Sequence, residues 1–189
     1  MYTEKKSYLK YLMTFFFKGL LCIAYRIYKL DGVNALFYFI PPSLIVPALR
    51  KYGATIGNNV AIHTPLIIHN AKNNFANLEI GDDAYVGRDV FLDITDKIKI
   101  GNRVVIGMRT TLLTHFDAGK SSIHNVLPPA RAPLLIEDDA YIGAGSIIKS
   151  RVTIGKRSLV AAMSFVNKDV PENTVVGGVP ARPLRRLEQ

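Results

Sequence analysis

Between Ile136 and Val170 an aliphatic residue returns at every sixth position: Ile136, Ile142, Ile148, Ile154, Val160 and Val166. Four residues after each stands a small or β-branched one: Ala140, Ser146, Val152, Ser158, Ser164 and Val170. A helix needs apolar residues three and four apart and a half-buried strand needs alternation, so neither generates this period. A fixed six-residue repeat belongs to a parallel β-helix, in which each hexapeptide is one short strand plus a turn and three of them close a triangular coil. The aliphatic side chain is expected to fill the prism, and the small one to fit where the wall bends. The same register returns upstream at Ile80, Val86 and Leu92, at Ile100, Ile106 and Leu112, and less regularly at Ile56, Ile62 and Ile68. Glycine follows the aliphatic residue at 57, 81, 87, 101, 107, 143 and 155. A residue without Cβ is expected there to turn a tight corner. Register is interrupted from Asn70 to Leu78, at Asp96 to Lys99 and from Ala118 to Leu135. A long loop inside a compact repeat usually marks function.

Residues 1–52 do not share the repeat, which divides the chain into an apolar, basic, helical segment over 1–52 and a β-helix domain over 53–189, with a loop at 118–135 and a tail at 171–189. Ser7 to Lys29 reads as a helix with a narrow polar stripe of Lys10, Thr14, Lys18, Arg26 and Lys29 among Leu9, Leu12, Phe15, Phe16, Phe17, Leu20, Leu21, Ile23 and Ile27. Gly32 to Leu49 carries no charge but is interrupted by Pro41, Pro42 and Pro47, so a membrane-spanning helix is not expected. A wide apolar face edged with lysines suits a membrane interface. It equally suits helices packed on the open end of the β-helix or on a neighbouring subunit. The opening MYTEKK lacks a compact apolar run ending in small residues, so no cleaved signal peptide is expected. The single cysteine, Cys22, excludes an intrachain disulfide and suits the cytoplasm. A formal charge of +9 on 189 residues points to an anionic partner, such as a nucleotide, a phosphate or a membrane surface. No nucleic-acid recognition motif accompanies it.

Two further segments narrow the reading. Thr114-His115-Phe116-Asp117 stands at the start of the long loop. The chain ends with Asn167-Lys168-Asp169-Val170-Pro171-Glu172-Asn173-Thr174, followed by Gly177-Gly178-Val179-Pro180-Ala181-Arg182. With these, residues 54–186 resemble the hexapeptide-repeat acyltransferases, in particular the maltose, galactoside and polysaccharide O-acetyltransferases; the first fifty residues lie outside the resemblance. The resemblance implies a left-handed parallel β-helix, a homotrimer with active sites between subunits, and acetyl-CoA lying between neighbouring prisms. It also implies direct transfer to an acceptor hydroxyl, with a loop histidine as general base and no metal.

His115 is the candidate base, because an imidazole is substantially neutral at working pH and can accept a proton. Such a base needs an orienting partner. Asp117 lies two residues on, and Asp93 lies one coil earlier, twenty-two positions before His115 and so only approximately stacked. Either acid can orient the imidazole or bind sugar hydroxyls; we place Asp117 with the catalytic group, and Asp93 with the loop residue His124 at the saccharide. The resemblance implies that the Ala144 N–H faces the oxyanion and the acyl donor. It further implies that Ala162, Asn167 and Lys168 hold the pantetheine and nucleotide, and that Arg182 and Arg185 meet the CoA phosphates. His63 and His69 are six apart and lie on successive faces of the prism. A γ-class carbonic anhydrase, which shares this fold, would need a second histidine five residues beyond His115, where Lys120 stands. The expected activity is O-acetylation of a saccharide hydroxyl, on a cell-surface polysaccharide or a lipid-linked glycan precursor. The enzyme is expected in the cytoplasm, peripheral at the inner face of the membrane. The competing readings are N-acetylation of an amino sugar and a non-catalytic β-helix scaffold.

Overall fold

The computed structural model describes residues 2–188, with side chains described from Leu12 onward. The chain begins with α1 (Tyr2–Leu36), which is broken at Lys29, where φ is 53° and ψ is −135°. A 3-10 turn (Pro42–Leu44) and α2 (Ile45–Lys51) follow. Of the polar stripe and apolar set read from the sequence, the side chains of Leu9 and Lys10 lie outside the described residues. The prolines act as expected: the helix stops before Pro41, and Pro47 falls in the first turn of α2, where no backbone N–H is needed.

From Thr55 the chain winds through three parallel sheets. The first contains β1 (Thr55–Ile56), β4 (Leu78–Ile80), β7 (Ile98–Ile100), β12 (Leu134–Ile136) and β15 (Thr153–Ile154). The second contains β2 (Ala61–Ile62), β5 (Tyr85–Val86), β8 (Val105–Ile106), β13 (Tyr141–Ile142), β16 (Leu159–Val160), β18 (Thr174–Gly178) and β19 (Ala181–Arg186). The third contains β3 (Leu66–His69), β6 (Val90–Asp93), β9 (Thr111–Leu112), β14 (Ile147–Ile148) and β17 (Phe165–Val166). Ile56 pairs with Ile80, Ile80 with Ile100, Ile100 with Ile136 and Ile136 with Ile154, separations of 24, 20, 36 and 18 residues. Each interruption seen in the sequence is therefore a bulge at a corner, after which the register resumes. Every aliphatic residue at the six-residue spacing from Ile56 to Val166 is buried, as are the small partners from Ala140 to Val170. Each such side chain removed from water contributes about 1.5–3 kcal/mol.

One expectation is corrected. The left-handed corner residues are not the glycines but those two positions later, such as Asn59, Asp83, Asp89, Arg103 and Arg157, with φ between 53° and 57°. The glycines answer a different constraint, the stacking of coils: a Cβ on Gly107 would lie 2.5 Å from the Ala144 nitrogen. The tail at 171–189 stays on the second sheet of the prism. β18 pairs in parallel with β16, and β19 folds back antiparallel on β18.

The helical segment closes the N-terminal end of the prism. Val33, Phe37, Ile40, Ile45 and Leu49 belong to one buried cluster with Ile56, Ile68 and Phe75, and the Phe37 and Phe75 rings sit 6.0 Å apart. Open sheet edges need partners. Asn34 supplies them for β3: its Nδ2 donates to the Ile68 carbonyl at 2.8 Å, and its Oδ1 accepts from the Ile68 N–H at 2.9 Å. Arg50 does the same for β1, its Nε donating to the Ile56 carbonyl at 3.1 Å. Among the described residues no helix is long and apolar enough to cross a membrane. The outer half of α1 nevertheless exposes Leu12, Met13, Phe15, Phe16, Ile23 and Ile27.

Candidate active site

The corner joining the third sheet to the first gathers the residues with chemical potential. β6 ends at Asp93, and β9 is followed by Thr114 and then β10 (His115–Phe116). β10 leaves the prism and pairs antiparallel with β11 (Ala130–Arg131), so the long loop is an arm with a 3-10 turn (Ser122–Asn125) at its tip. Leu92 is in register with Leu112, which places His115 two residues beyond the position stacked on Asp93. The turn at the corner removes that offset. The backbone N–H groups of Thr114 and His115 both donate to Asp93 Oδ2, at 2.9 and 3.0 Å, and His115 Nδ1 lies 2.6 Å from the same oxygen.

Asp93 is fully buried and richly supplied with donors. Its Oδ1 accepts the Thr95 hydroxyl at 2.7 Å and the Thr95 N–H at 3.2 Å. Burial pushes this carboxyl up, but the hydrogen bonds from His115, Thr95 and Thr114 together outweigh it and hold Asp93 well below the ordinary carboxylate range. An ionised carboxylate only accepts, so His115 Nδ1 carries the proton between them and the Nε2 lone pair is left outward. Nε2 lies 3.4 Å from Asn70 Nδ2. His69 stacks beneath, its ring centroid 6.3 Å from that of His115.

Two sequence assignments change places as a result. Asp117, expected beside the base, turns into the arm: its Oδ1 accepts the Gly119 N–H at 2.7 Å and lies 3.9 Å from His124 Nδ1. Asp93, expected at the saccharide, has no exposed surface with which to meet one. The arm also separates two clefts along the same corner. The lower, of about 560 Å³, holds His115, Asn70, Lys72, Thr95 and Asp117, and its far wall is Leu30, Asp31 and Asn34 from α1. The upper, of about 880 Å³, is lined by Phe116, Arg131, Lys149, Arg151, Asn167 and Lys168. Sequence reasoning missed the α1 wall, Thr95, Asn70, and the cations Arg131, Lys149 and Arg151. Thr95 carried a detectable signal, since a threonine two residues after an aspartate favours a local side-chain turn.

The remaining predicted residues lie elsewhere. Ala144 and Ala162 stack at the corner between the second and third sheets, where the Met163 N–H donates to the Ala144 carbonyl at 2.9 Å. The coil-to-coil bonds there use the N–H groups of Gly143 and Gly145, to Val160 and Met108, and not that of Ala144. Arg182 and Arg185 are exposed on β19 of the second sheet. Within one chain, then, His115, Asn167 and Lys168 stand at one corner and Ala144 and Ala162 at another.

The family described as the hexapeptide repeat of succinyl-transferase matches residues 133–168. Over 153 residues, 77% of this chain and 69% of the relative, the sequence is 30% identical to the galactoside O-acetyltransferase of Lactococcus lactis. A shorter match of 75 residues is 40% identical to the 2,3,4,5-tetrahydropyridine-2,6-dicarboxylate N-acetyltransferase of Staphylococcus aureus, of which the chain spans only 31%. Among solved structures, the hexapeptide-repeat containing acetyltransferase of Vibrio cholerae superimposes with a TM-score of 0.74 at 29% identity, covering 91% of this chain and 93% of that one. That protein has also been solved complexed with acetyl coenzyme A.

Proposed function

The chain belongs to the hexapeptide-repeat acetyltransferases, and from that premise we propose that it transfers acetyl from acetyl-CoA to a saccharide hydroxyl, with His115 as general base and Asp93 as the acid that orients it. The observation carrying the proposal is the 2.6 Å contact between His115 Nδ1 and a buried, ionised carboxylate, with Nε2 turned to a cleft of hydrogen-bonding side chains. Asp31, Asn70, Lys72 and Asp117 offer that cleft both donors and acceptors, which suits a ligand dense in hydroxyls. His124, at the tip of the arm, is proposed to close over the acceptor.

In this mechanism His115 Nε2 takes the proton of the acceptor hydroxyl as its oxygen attacks the thioester carbonyl. The Asp93 carboxylate stabilises the imidazolium that forms and keeps the ring from rotating. The oxyanion of the tetrahedral intermediate accepts the Ala144 N–H, which the coil ladder leaves unused. Collapse breaks the carbon–sulfur bond, and the leaving thiolate takes the proton back from His115. The nucleotide and pantetheine are proposed to lie along Ala162, Asn167 and Lys168, with Arg182 and Arg185 toward the phosphates. Arg131, Lys149 and Arg151 add positive charge beside them.

The separation of His115 and Ala144 onto different corners supports a homotrimer in which one prism's base faces a neighbour's donor-binding corner. The reaction is proposed to take place in the cytoplasm. The test is to incubate the protein with acetyl-CoA and a panel of neutral and amino sugars, following thiol release and the product. The expected product is an alkali-labile ester. An alkali-stable amide would instead place the chain with the N-acetyltransferases, and acetyl-CoA binding without transfer to any saccharide would favour the scaffold.

A further inference from the structure

We infer that the outward face of α1 between Leu12 and Ile27 docks the protein on an anionic lipid bilayer. This segment has two apolar faces on opposite sides. Leu21 is buried and Phe17 and Tyr25 are partly buried against the capped end of the prism. Leu12, Phe16, Ile23 and Ile27 fall within about 60° of one another on the opposite side of the helical wheel. They are exposed, Phe16 and Ile27 each to 63%. Gly19 lies in the middle of this face, and a Cβ there would meet nothing. Arg26 is exposed at the edge of this face, and Lys18, further round on the same side, is exposed beside Leu44 and Lys51 of the cap. Between Leu12 and Leu30 the chain holds no aspartate or glutamate.

Charge selects the occupant. A second copy of this face would add a second basic edge at Arg26 and no acid between Leu12 and Leu30 to answer either, which disfavours association. A bilayer surface rich in acidic headgroups offers the complementary arrangement, apolar residues entering the acyl boundary and basic ones meeting phosphates. The helix breaks at Lys29, just past the end of this face. Immediately after it, Leu30, Asp31 and Asn34 form the wall of the His115 cleft. Docking would therefore hold that cleft close to the lipid surface. If the acetyl-transfer reading holds, an acceptor sugar carried on a lipid would reach His115 without leaving the membrane.

The test is flotation of the full chain with vesicles, which needs no acetyl transfer and so stands apart from the activity assay. The protein is expected to float with vesicles of phosphatidylglycerol and phosphatidylcholine at low salt, and to bind at least about tenfold more weakly to phosphatidylcholine alone or at high salt. Phe16→Glu with Ile23→Glu should abolish flotation while leaving the thermal midpoint and oligomeric state unchanged. Lys18→Ala with Arg26→Ala should weaken binding to anionic vesicles by roughly tenfold or more and barely alter binding to neutral ones. This exposed pair carries the test if the glutamate variant does not fold. Full-length protein that stays free of anionic vesicles at low salt overturns the inference. So does a glutamate variant that changes oligomeric state while still floating like the wild type, because the face would then belong to a second copy.

Discussion

In the prism each inward aliphatic residue sits on the one below it, and each strand's polar backbone is satisfied by the next coil, so one hexapeptide specifies its own place. In the cap nothing repeats. Phe37 finds Phe75 across the sequence, and Asn34 and Arg50 imitate with side chains the ladder that a further coil would have supplied. The two regions nonetheless share one buried cluster. A solenoid can propagate indefinitely, and what ends it must satisfy both an apolar cross-section and open strand edges. The helical segment meets both demands, and its far side then forms a wall of the His115 cleft.

Mutation distinguishes the two regions. Phe37→Ala should cost about 3–5 kcal/mol, as much as Ile142→Ala in the middle of the prism at about 2–5 kcal/mol. Both variants should unfold in a single transition by calorimetry; two transitions in Phe37→Ala would mean that the cap is a separate unit. Asn34→Ala leaves the Ile68 N–H and C=O without their partner and should cost about 1–3 kcal/mol in denaturant titration. A loss within error would show that water serves that edge as well as the amide does. The smallest effect is the acid one. Asp93 is depressed in the folded state, so the stability its carboxylate contributes is complete above the unfolded carboxylate value of about 4 and is lost as pH falls below it. Asp93→Asn should therefore lose less stability than the wild type between about pH 4 and pH 2. Parallel curves would mean that the carboxyl is not held ionised by its donors.

The six-residue spacing alone located the inward residues, their small partners and the three interruptions, because in a β-helix the period is the structure. It could not locate contacts made where the period fails. The Asp93–His115 contact crosses a corner with a two-residue offset, which counting along the chain makes a poor stack, and only the turn at Thr114 brings the two together. Asp117 looked the better partner because it is near in sequence, but β10 carries it away into the arm. Leu30 and Asp31 were invisible as site residues, since a helical segment without repeat or motif gives no sign of where it will dock. The role of the glycines is hidden for a related reason: corner turning is local, whereas the approach of the next coil, as at Gly107, is not.

The His115–Asp93 pair is proposed to act as a base rather than as a corner fastening. The direct measurement is steady-state turnover of His115→Ala and Asp93→Asn with acetyl-CoA and an accepted saccharide, alongside acetyl-CoA binding by calorimetry. Turnover in His115→Ala should fall by roughly a hundredfold or more, the scale of general-base loss, with donor binding and oligomeric state unchanged. Asp93→Asn should fall in the same direction, because its amide can present a donor to Nδ1 and favour the wrong tautomer. Near-normal turnover in His115→Ala, with oligomeric state and donor affinity unchanged, would contradict the mechanism.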